Sequence, residues 1–345
     1  MNPKKQKPEE TPMTVEAPEK KLTKAESKLE AALKAISEDL KVSLSTFRDQ
    51  KIESVQRIPT GSLSLDMATG GGWARGRVHE VYGAEMSGKS LLALNGIAQA
   101  QRMGLSGAFI DVEQAFDPIW AAKQGVDLDN LIFIQPDSAE EALNVVDKLL
   151  ERVKPGFIVV DSVSALVTET ELEGKIGDHH VGTTARLMSQ TLKILTPKVA
   201  NASTALVFIN QLRHKIGVMF GNPETTSGGM ALKFYSSIRI DVRRLSKSEI
   251  LDENKQQVGY SQRIKVVKNK TFPPYREAEV PISYVNGIRA AEDFVKGVMS
   301  VGLLDQLTEV LGTKDFNEMY TKILAGHDGL EGVRKQALVK AGVTV

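Results

Sequence analysis

An α/β fold is predicted for this chain: a mostly parallel sheet with an antiparallel extension, flanked by an N-terminal helix and a small C-terminal α-rich domain. Three observations predict it. Short apolar runs alternate with amphipathic helical stretches between about residues 78 and 209. A glycine-rich octapeptide, Gly83-Ala84-Glu85-Met86-Ser87-Gly88-Lys89-Ser90, joins the first run to a helical stretch. Farther on, Ile238, Ile240 and Val242 alternate with Arg239, Asp241 and Arg243.

Each element follows in turn. Residues 1–24 are rich in Lys, Glu and Pro and poor in large apolar side chains, the composition of a disordered tail. In 25–55, Leu29, Leu33, Ile36 and Leu40 recur at helical spacing. A helix with one apolar stripe needs a partner surface, its own core or a neighbouring subunit. Turns follow at Pro59-Thr60-Gly61 and Gly70-Gly71-Gly72. Strands are expected at Val78–Tyr82, Ala108–Ile110, Leu131–Ile134, Phe157–Val160 and Ala205–Ile209, with helices such as Glu140–Val153 and Thr183–Ala200 between them. Continuous apolar strands separated by helices argue for a parallel sheet covered on both faces. The alternation at 238–243 is that of a half-exposed strand, and Arg263–Lys270 and Glu277–Ser283 read similarly. The core is expected over 56–288 and the small helical domain over 289–345.

Composition narrows the function. The chain has 345 residues, more than one compact core usually takes. It has no cysteine, which excludes disulfides, thiol catalysis and zinc–thiolate sites. The lack of cysteine fits a reducing interior such as cytoplasm. No bilayer-length apolar run or signal-peptide pattern occurs, so no membrane partner is expected. Net charge is only +1, so any surface that binds nucleic acid must be locally basic.

Residues Gly83–Ser90 match the Walker A pattern between a strand and a helix, the context that the motif requires. Glycines let backbone N–H groups turn toward phosphate oxygens, and the helix N-terminus adds positive potential. Lys89 places a charge between the outer phosphates, and the Ser90 hydroxyl can ligate Mg2+. Asp161 ends the apolar run Phe157–Val160, where open α/β sheets bind ligands, and would hold Mg2+ through water. Its alternative role is to cap a helix. Glu113 follows the strand that ends at Asp111. It could accept a proton from an attacking water or orient it, or be a plain strand-end carboxylate.

Several longer strings resemble the bacterial RecA recombinase family. They are Asp111-Val112-Glu113-Gln114-Ala115-Phe116-Asp117-Pro118, Glu173-Gly174-Lys175-Ile176-Gly177-Asp178, Phe208-Ile209-Asn210-Gln211-Leu212-Arg213, and the run from Lys215 to Thr226. Similarity covers roughly residues 55–290. The resemblance implies a RecA-like P-loop ATPase core with an N-terminal helix that docks on the next subunit. It implies a helical filament on single-stranded DNA, pairing with homologous double-stranded DNA, and hydrolysis of ATP bound between subunits. The setting implied is recombination, repair and the SOS response to DNA damage. Gly83, Glu85, Ser87, Gly88 and Leu91 join Lys89 and Ser90 in the expected ATP cradle. Asp117 and Trp120, where the family usually has Tyr, belong to the implied adenine neighbourhood, and Tyr284 resembles another nucleotide contact.

Two glycine-rich segments look like DNA-binding loops, about Glu173–Gly182 and Leu212–Ser227. On the helix between them, Met188, Leu192, Leu195 and Val199 form the apolar stripe, while Arg186 and Lys193 share another face. With Arg213 and Lys215 they could neutralise phosphates without reading sequence; a solvated face is the alternative. His214, Gly228 and Gly229 belong to the same expected surface, and the resemblance makes Ile216 a wedge between bases. His179 and His180, in the first loop, face solvent or DNA. Gln211 ends a buried strand and begins the second loop. Its amide could bond the γ-phosphate of ATP and lose that partner in ADP, biasing loop order. Lys268 and Lys270 alternate along a strand and so face one way; in the family such a pair reaches the neighbour's ATP. Phe234 resembles an interface residue, although spacing alone makes it core.

The chain departs from the family at Val181, Lys193 and His214, where Met, Arg and Met are familiar. After about residue 290 the match is poor. The family's acidic tail has no counterpart in Lys340–Val345, and a brake on duplex binding by repulsion is expected to be missing with it. Divergent ends on a standard core suggest a distant or viral relative. Two rival functions remain: a ring motor or helicase on a related core, and a structural protein that coats single-stranded DNA with little turnover.

Overall fold

Five parallel pairings around β3 (Arg77–Gly83) set the architecture of the computed structural model. The structure describes residues 24–46, 54–175, 182–214 and 223–344. The chain divides into two units, residues 1–54 and 55–345. In the first, α1 (Lys24–Leu40) carries the expected stripe, and Leu29, Ile36 and Leu40 are exposed. Residues 1–23 of the expected tail lie outside the described residues.

In the second unit, β1 (Arg57–Ile58) pairs antiparallel with β2 (Trp73–Ala74), and α2 (Leu63–Thr69) lies between them in sequence. After β3 come α3 (Lys89–Arg102), β4 (Gly107–Asp111), α4 (Pro118–Lys123), β5 (Leu131–Ile134), α5 (Ala139–Arg152) and β6 (Phe157–Asp161). Next are α6 (Glu169–Glu173), α7 (Thr183–Ala202), β7 (Ala205–His214), β8 (Glu224–Thr226) and α8 (Ala231–Tyr235). The sheet is completed by β9 (Ile238–Leu251), β10 (Gln257–Asn269), β11 (Glu277–Ser283) and β12 (Gly287–Ile288). Strand order is β12-β11-β10-β9-β3-β7-β6-β4-β5, with β8 on β7.

The apolar runs explain the layers. Phe157–Val160 of β6 have no exposed surface, as a strand covered on both faces requires. Leu92 and Ile97 of α3 pack over Val81, Val159 and Val207. On the other face Leu143 and Val146 of α5 join the α7 stripe, Met188, Leu192, Leu195 and Val199, over Val160 and Phe208. The change from parallel to antiparallel pairing falls on β9, which runs parallel to β3 and antiparallel to β10. Ile238, Ile240 and Val242 enter the α3-side core, and Arg239, Asp241 and Arg243 occupy the other face, only partly buried.

Several elements exceed their expected limits. β7 runs on to His214 because β8 pairs with it antiparallel, Leu212 beside Thr226 and His214 beside Glu224. The segment Leu212–Ser227 is therefore flanked by a two-stranded ribbon. β10 begins at Gln257, ahead of the expected Arg263, because its polar first half is held between β9 and β11. Apolar periodicity could not reveal strand there. α6 ends at Glu173, where the first expected loop begins, and its Glu171 accepts a hydrogen bond from Thr168 N (2.8 Å).

The last helices, α9 (Ala290–Ser300), α10 (Leu304–Leu311), α11 (Phe316–Leu324) and α12 (Leu330–Lys340), form a third core with Leu63 and Met67 of α2. Asp66, fully buried in α2, accepts hydrogen bonds from Thr60 N (2.7 Å) and Arg334 of α12 (2.5 Å). Burial holds this carboxyl above the usual range, opposed by the Arg334 charge. No helix among the described residues is long and apolar enough to cross a membrane.

Two predictions follow from these acids. Arg334→Met strands a buried charge, and denaturant titration at neutral pH should show a loss of about 3 kcal/mol; an unchanged midpoint contradicts the pairing. Asp293 of α9 is also buried, and desolvation pushes its pKa up from 3.8 to about 6. The folded-state value is the higher one. Its contribution is therefore present below pH 3.8 and lost as pH rises through about 6. Asp293→Asn should gain on the parent chain by about 3 kcal/mol between roughly pH 4 and pH 7. A constant difference across that range contradicts the assignment.

Candidate nucleotide-binding site

Parallel register brings the expected site residues to one edge of the sheet. Gly83 at the end of β3 lies beside Gln211 of β7, and Asp111 of β4 beside Asp161 of β6. The chain after β4 stays close, because Val112 and Glu113 both donate backbone N–H groups to Asp161 O (2.8 and 3.1 Å). A cavity of about 630 Å³ opens there, lined by Ala84–Leu91, Glu113, Trp120, Asp161, Gln211 and the side of β10 and β11.

The phosphate end is built from the octapeptide. Gly88 caps α3 with φ +89°, and a Cβ placed on it would lie 1.9 Å from Gln262 Nε2. Only glycine meets both demands. Gln262 is fully buried in β10 and donates from that nitrogen to Ser87 O (2.5 Å), so the antiparallel part of the sheet braces the loop. Lys89 spans the loop and donates to Ala84 O (2.7 Å). Burial lowers its pKa, with Asp161, Glu113 and Glu85 acting in the opposite direction.

Ser90 Oγ donates to Asp161 Oδ2 (2.6 Å). Burial pushes the Asp161 carboxyl up to about 6, opposed by the Ser90 hydrogen bond and reinforced by the Glu113 charge. Two oxygen ligands thus stand together where negative charge is poorly solvated, which suits a hard divalent cation. Among the described residues no group of three or more His, Cys, Asp and Glu could hold a metal alone.

Glu113 Oε1 accepts hydrogen bonds from Ser162 Oγ (2.5 Å) and Gln211 Nε2 (3.1 Å). The two strand-end residues expected to act on a terminal phosphate and its attacking water are therefore in direct contact. Part of the cavity wall is aromatic. Trp120 lines it, and Tyr284 lies 5.7 Å from Tyr260, ring centre to ring centre. Arg244 sits 4.8 Å over Tyr260 and donates to Tyr284 Oη (3.1 Å). Asp117 does not line the cavity; it caps α4 by accepting from Trp120 N (3.0 Å) and so orients that ring's helix.

Arg243, Arg244, Tyr260 and Gln262 escaped the sequence reading. Arg243 was visible only as the polar half of an alternating strand. Tyr260 and Gln262 lie in a polar stretch whose role depends on which strand β10 meets.

The residues expected at DNA are spread over neighbouring elements. Arg186 and Lys193 are exposed on α7, and Arg213 is exposed near the end of β7. Gly228 and Gly229 have φ of +76° and +74°, and a Cβ on Gly229 would lie 2.8 Å from Ala185, next to Arg186. His214 ends β7 by its backbone, paired with Glu224. Lys215, Ile216, His179 and His180 lie outside the described residues.

Lys268 and Lys270 do face one way, but away from this chain's own cavity. Lys268 donates to Lys233 O (2.5 Å) and Phe234 O (3.1 Å), and Lys270 to Phe234 O (3.5 Å). Phe234 is 67% exposed, which overturns the reading of it as core from spacing alone.

Comparison with known proteins gives a consistent result. The family model for the RecA N-terminal domain matches residues 27–289. Protein RecA of Teredinibacter turnerae is 48% identical over 283 residues, covering 81% of this chain and 82% of that one. Protein RecA of Ectopseudomonas oleovorans is 50% identical over 277 residues, 79% of each chain. Protein RecA of Frankia alni is 53% identical over 249 residues, 72% of this chain and 71% of that one. The crystal structure of the RadB recombinase shares the fold, with TM-score 0.51 and 22% identity over 67% of this chain and 98% of that one.

The brace beneath the loop yields a prediction. Gly88→Ala forces a strained φ against Gln262, and nucleotide affinity by calorimetry should fall about tenfold or more with the fold intact. Unchanged affinity contradicts this account of the cradle.

Proposed function

The chain belongs to the RecA family, and from that membership we propose that it is an ATP-dependent DNA recombinase of recombination and repair, working as a filament on single-stranded DNA that pairs and exchanges strands with duplex. The observation that carries this reading is the contact between Gln211 and Glu113 at the mouth of the Walker cavity. Gln211 belongs both to that cavity and to the strand that leads into the second candidate DNA segment.

The cavity divides the work of an in-line phosphoryl transfer. The loop N–H groups and Lys89 hold the phosphates; Trp120 and Tyr284 offer ring faces to a base. Ser90 and Asp161 would hold Mg2+, which would supply positive charge to the phosphate oxygens. Glu113 orients the attacking water and accepts its proton, with Ser162 fixing the carboxylate. Gln211 exchanges its bond to Glu113 for one to the γ-phosphate, and so reports to β7 whether ATP or ADP is present.

Positive charge from the next protomer completes the site. Lys268 and Lys270 stand beside exposed Phe234, outside their own cavity, and would reach a neighbour's nucleotide. The exposed stripe of α1 supplies a further surface for polymerisation. On the DNA side, Arg186, Lys193 and Arg213 neutralise phosphates, with Gly228-Gly229 at the base of the second segment.

Lys89→Ala should reduce DNA-stimulated ATP hydrolysis about a hundredfold or more and abolish strand exchange. Exchange at the parent rate removes the nucleotide site. Mixing tests the trans lysines. Lys89→Ala and Lys268→Ala proteins are each inactive, yet about a quarter of interfaces in an equal mixture join a sound cavity to sound lysines. Hydrolysis in the mixture should exceed the sum of the two alone; no excess contradicts action in trans. Electron microscopy with ATP and single-stranded DNA separates the rivals, because closed rings without filaments indicate a motor.

A further inference from the structure

A buried polar row crosses three adjacent strands beside the nucleotide cavity. Glu80 of β3 has no exposed surface and lies outside the Walker loop. In register it sits beside Arg239 of β9 on one side and Phe208 of β7 on the other, and Asn210 is two residues along from Phe208. Alternation puts Glu80, Arg239 and Asn210 on one face. Arg239 Nε donates to Glu80 Oε2 (2.5 Å), and Asn210 Nδ2 donates to Glu80 Oε1 (3.0 Å). Arg239 also stacks 4.7 Å over Tyr82.

The Asn210 amide is fully used. Its Nδ2 donates a second time, to Ser227 O (3.0 Å), and its Oδ1 accepts from Gln211 N (2.9 Å). Glu80 Oε1 and Ser227 O accept and the Gln211 N–H donates, so the three partners together dictate which way this amide lies. With Nδ2 turned to Glu80, Oδ1 must face the Gln211 N–H. The same side chain therefore fixes the point where β7 carries Gln211 to the cavity and the point where the chain returns at Ser227, just before Gly228-Gly229. A displacement of the Gln211 backbone is felt at Ser227 through one rigid amide.

We propose that Glu80 is a positioning residue of the ATP–DNA switch, acting through Asn210 to tie Gln211 to the returning end of the second DNA segment. The proposal rests on the reading of Gln211 as the γ-phosphate sensor. Arg239 pairs with the buried carboxylate; its neighbour in register on β10 is Lys268, so the row begins beside the residues assigned to the next protomer's nucleotide. A fully connected buried network that specifies one arrangement is the kind of element able to carry such coupling.

The test measures affinity for a fluorescent single-stranded oligonucleotide with a nonhydrolysable ATP analogue and with ADP, using the full chain. Replacing the pair together, Glu80→Met with Arg239→Met, leaves no unpaired charge and is the variant expected to fold. The ratio of the two DNA affinities should fall by about tenfold, while ADP, which has no γ-phosphate, binds as before. Adding Gln211→Ala should cause no further loss, because both changes cut one path. If the double variant does not fold, the isosteric Glu80→Gln takes its place, since an amide there weakens the acceptor that holds Asn210 Nδ2 and unpairs it from the Arg239 charge. A folded variant with an unchanged ratio, or one that weakens DNA binding equally in both nucleotide states, shows a merely structural Glu80 and overturns the proposal. Gln211→Ala alone separates the two layers. If it keeps the parent ratio, the sensor reading fails and the relay with it; if it loses the ratio while the Glu80 variants keep it, the relay alone is wrong.

Discussion

The parallel register at the centre of the sheet is the constraint on which the rest depends. Gly83 beside Gln211, and Asp111 beside Asp161, bring residues of four neighbouring strands to one edge of the sheet. A slip of one residue in any of them would turn its side chains to the opposite face and take the phosphate loop, the acids and the amide out of reach of one another. The apolar runs prevent that slip. Every residue of Phe157–Val160 is buried, so each alternative register costs a strand's worth of apolar contact.

Electrostatics at the cavity are unresolved by the chain itself. Burial lowers the Lys89 pKa and raises that of Asp161, so each group is held where its charged form is disfavoured. A ligand that brings phosphate charge to the lysine and a cation to the carboxylate relieves both penalties together. Closing the cavity with a neighbour's lysines would strengthen this further, because the same charges count for more where water is excluded.

Much of this was legible in the sequence, because the parallel core is written in continuous apolar runs and the phosphate loop in glycines whose spacing has a steric cause. Met188, Leu192, Leu195 and Val199 could be read as one buried stripe from spacing alone. The antiparallel side was harder. Tyr260 and Gln262 belong to a polar stretch, and nothing local says that β10 lies under the Ser87-Gly88 turn. Phe234 misled for the opposite reason: an apolar ring at a core-like spacing stands in solvent. Glu80 and Asn210 were invisible as a pair, 130 positions apart and joined only by strand order.

The central claim is that the terminal phosphate of a nucleotide decides how firmly DNA is held. The most direct test is the affinity of the unmodified chain for one single-stranded oligonucleotide, measured at fixed salt with a nonhydrolysable ATP analogue, with ADP and with no nucleotide. The account predicts about a tenfold or greater tightening with the ATP analogue over the other two states. Equal affinity in all three would contradict it.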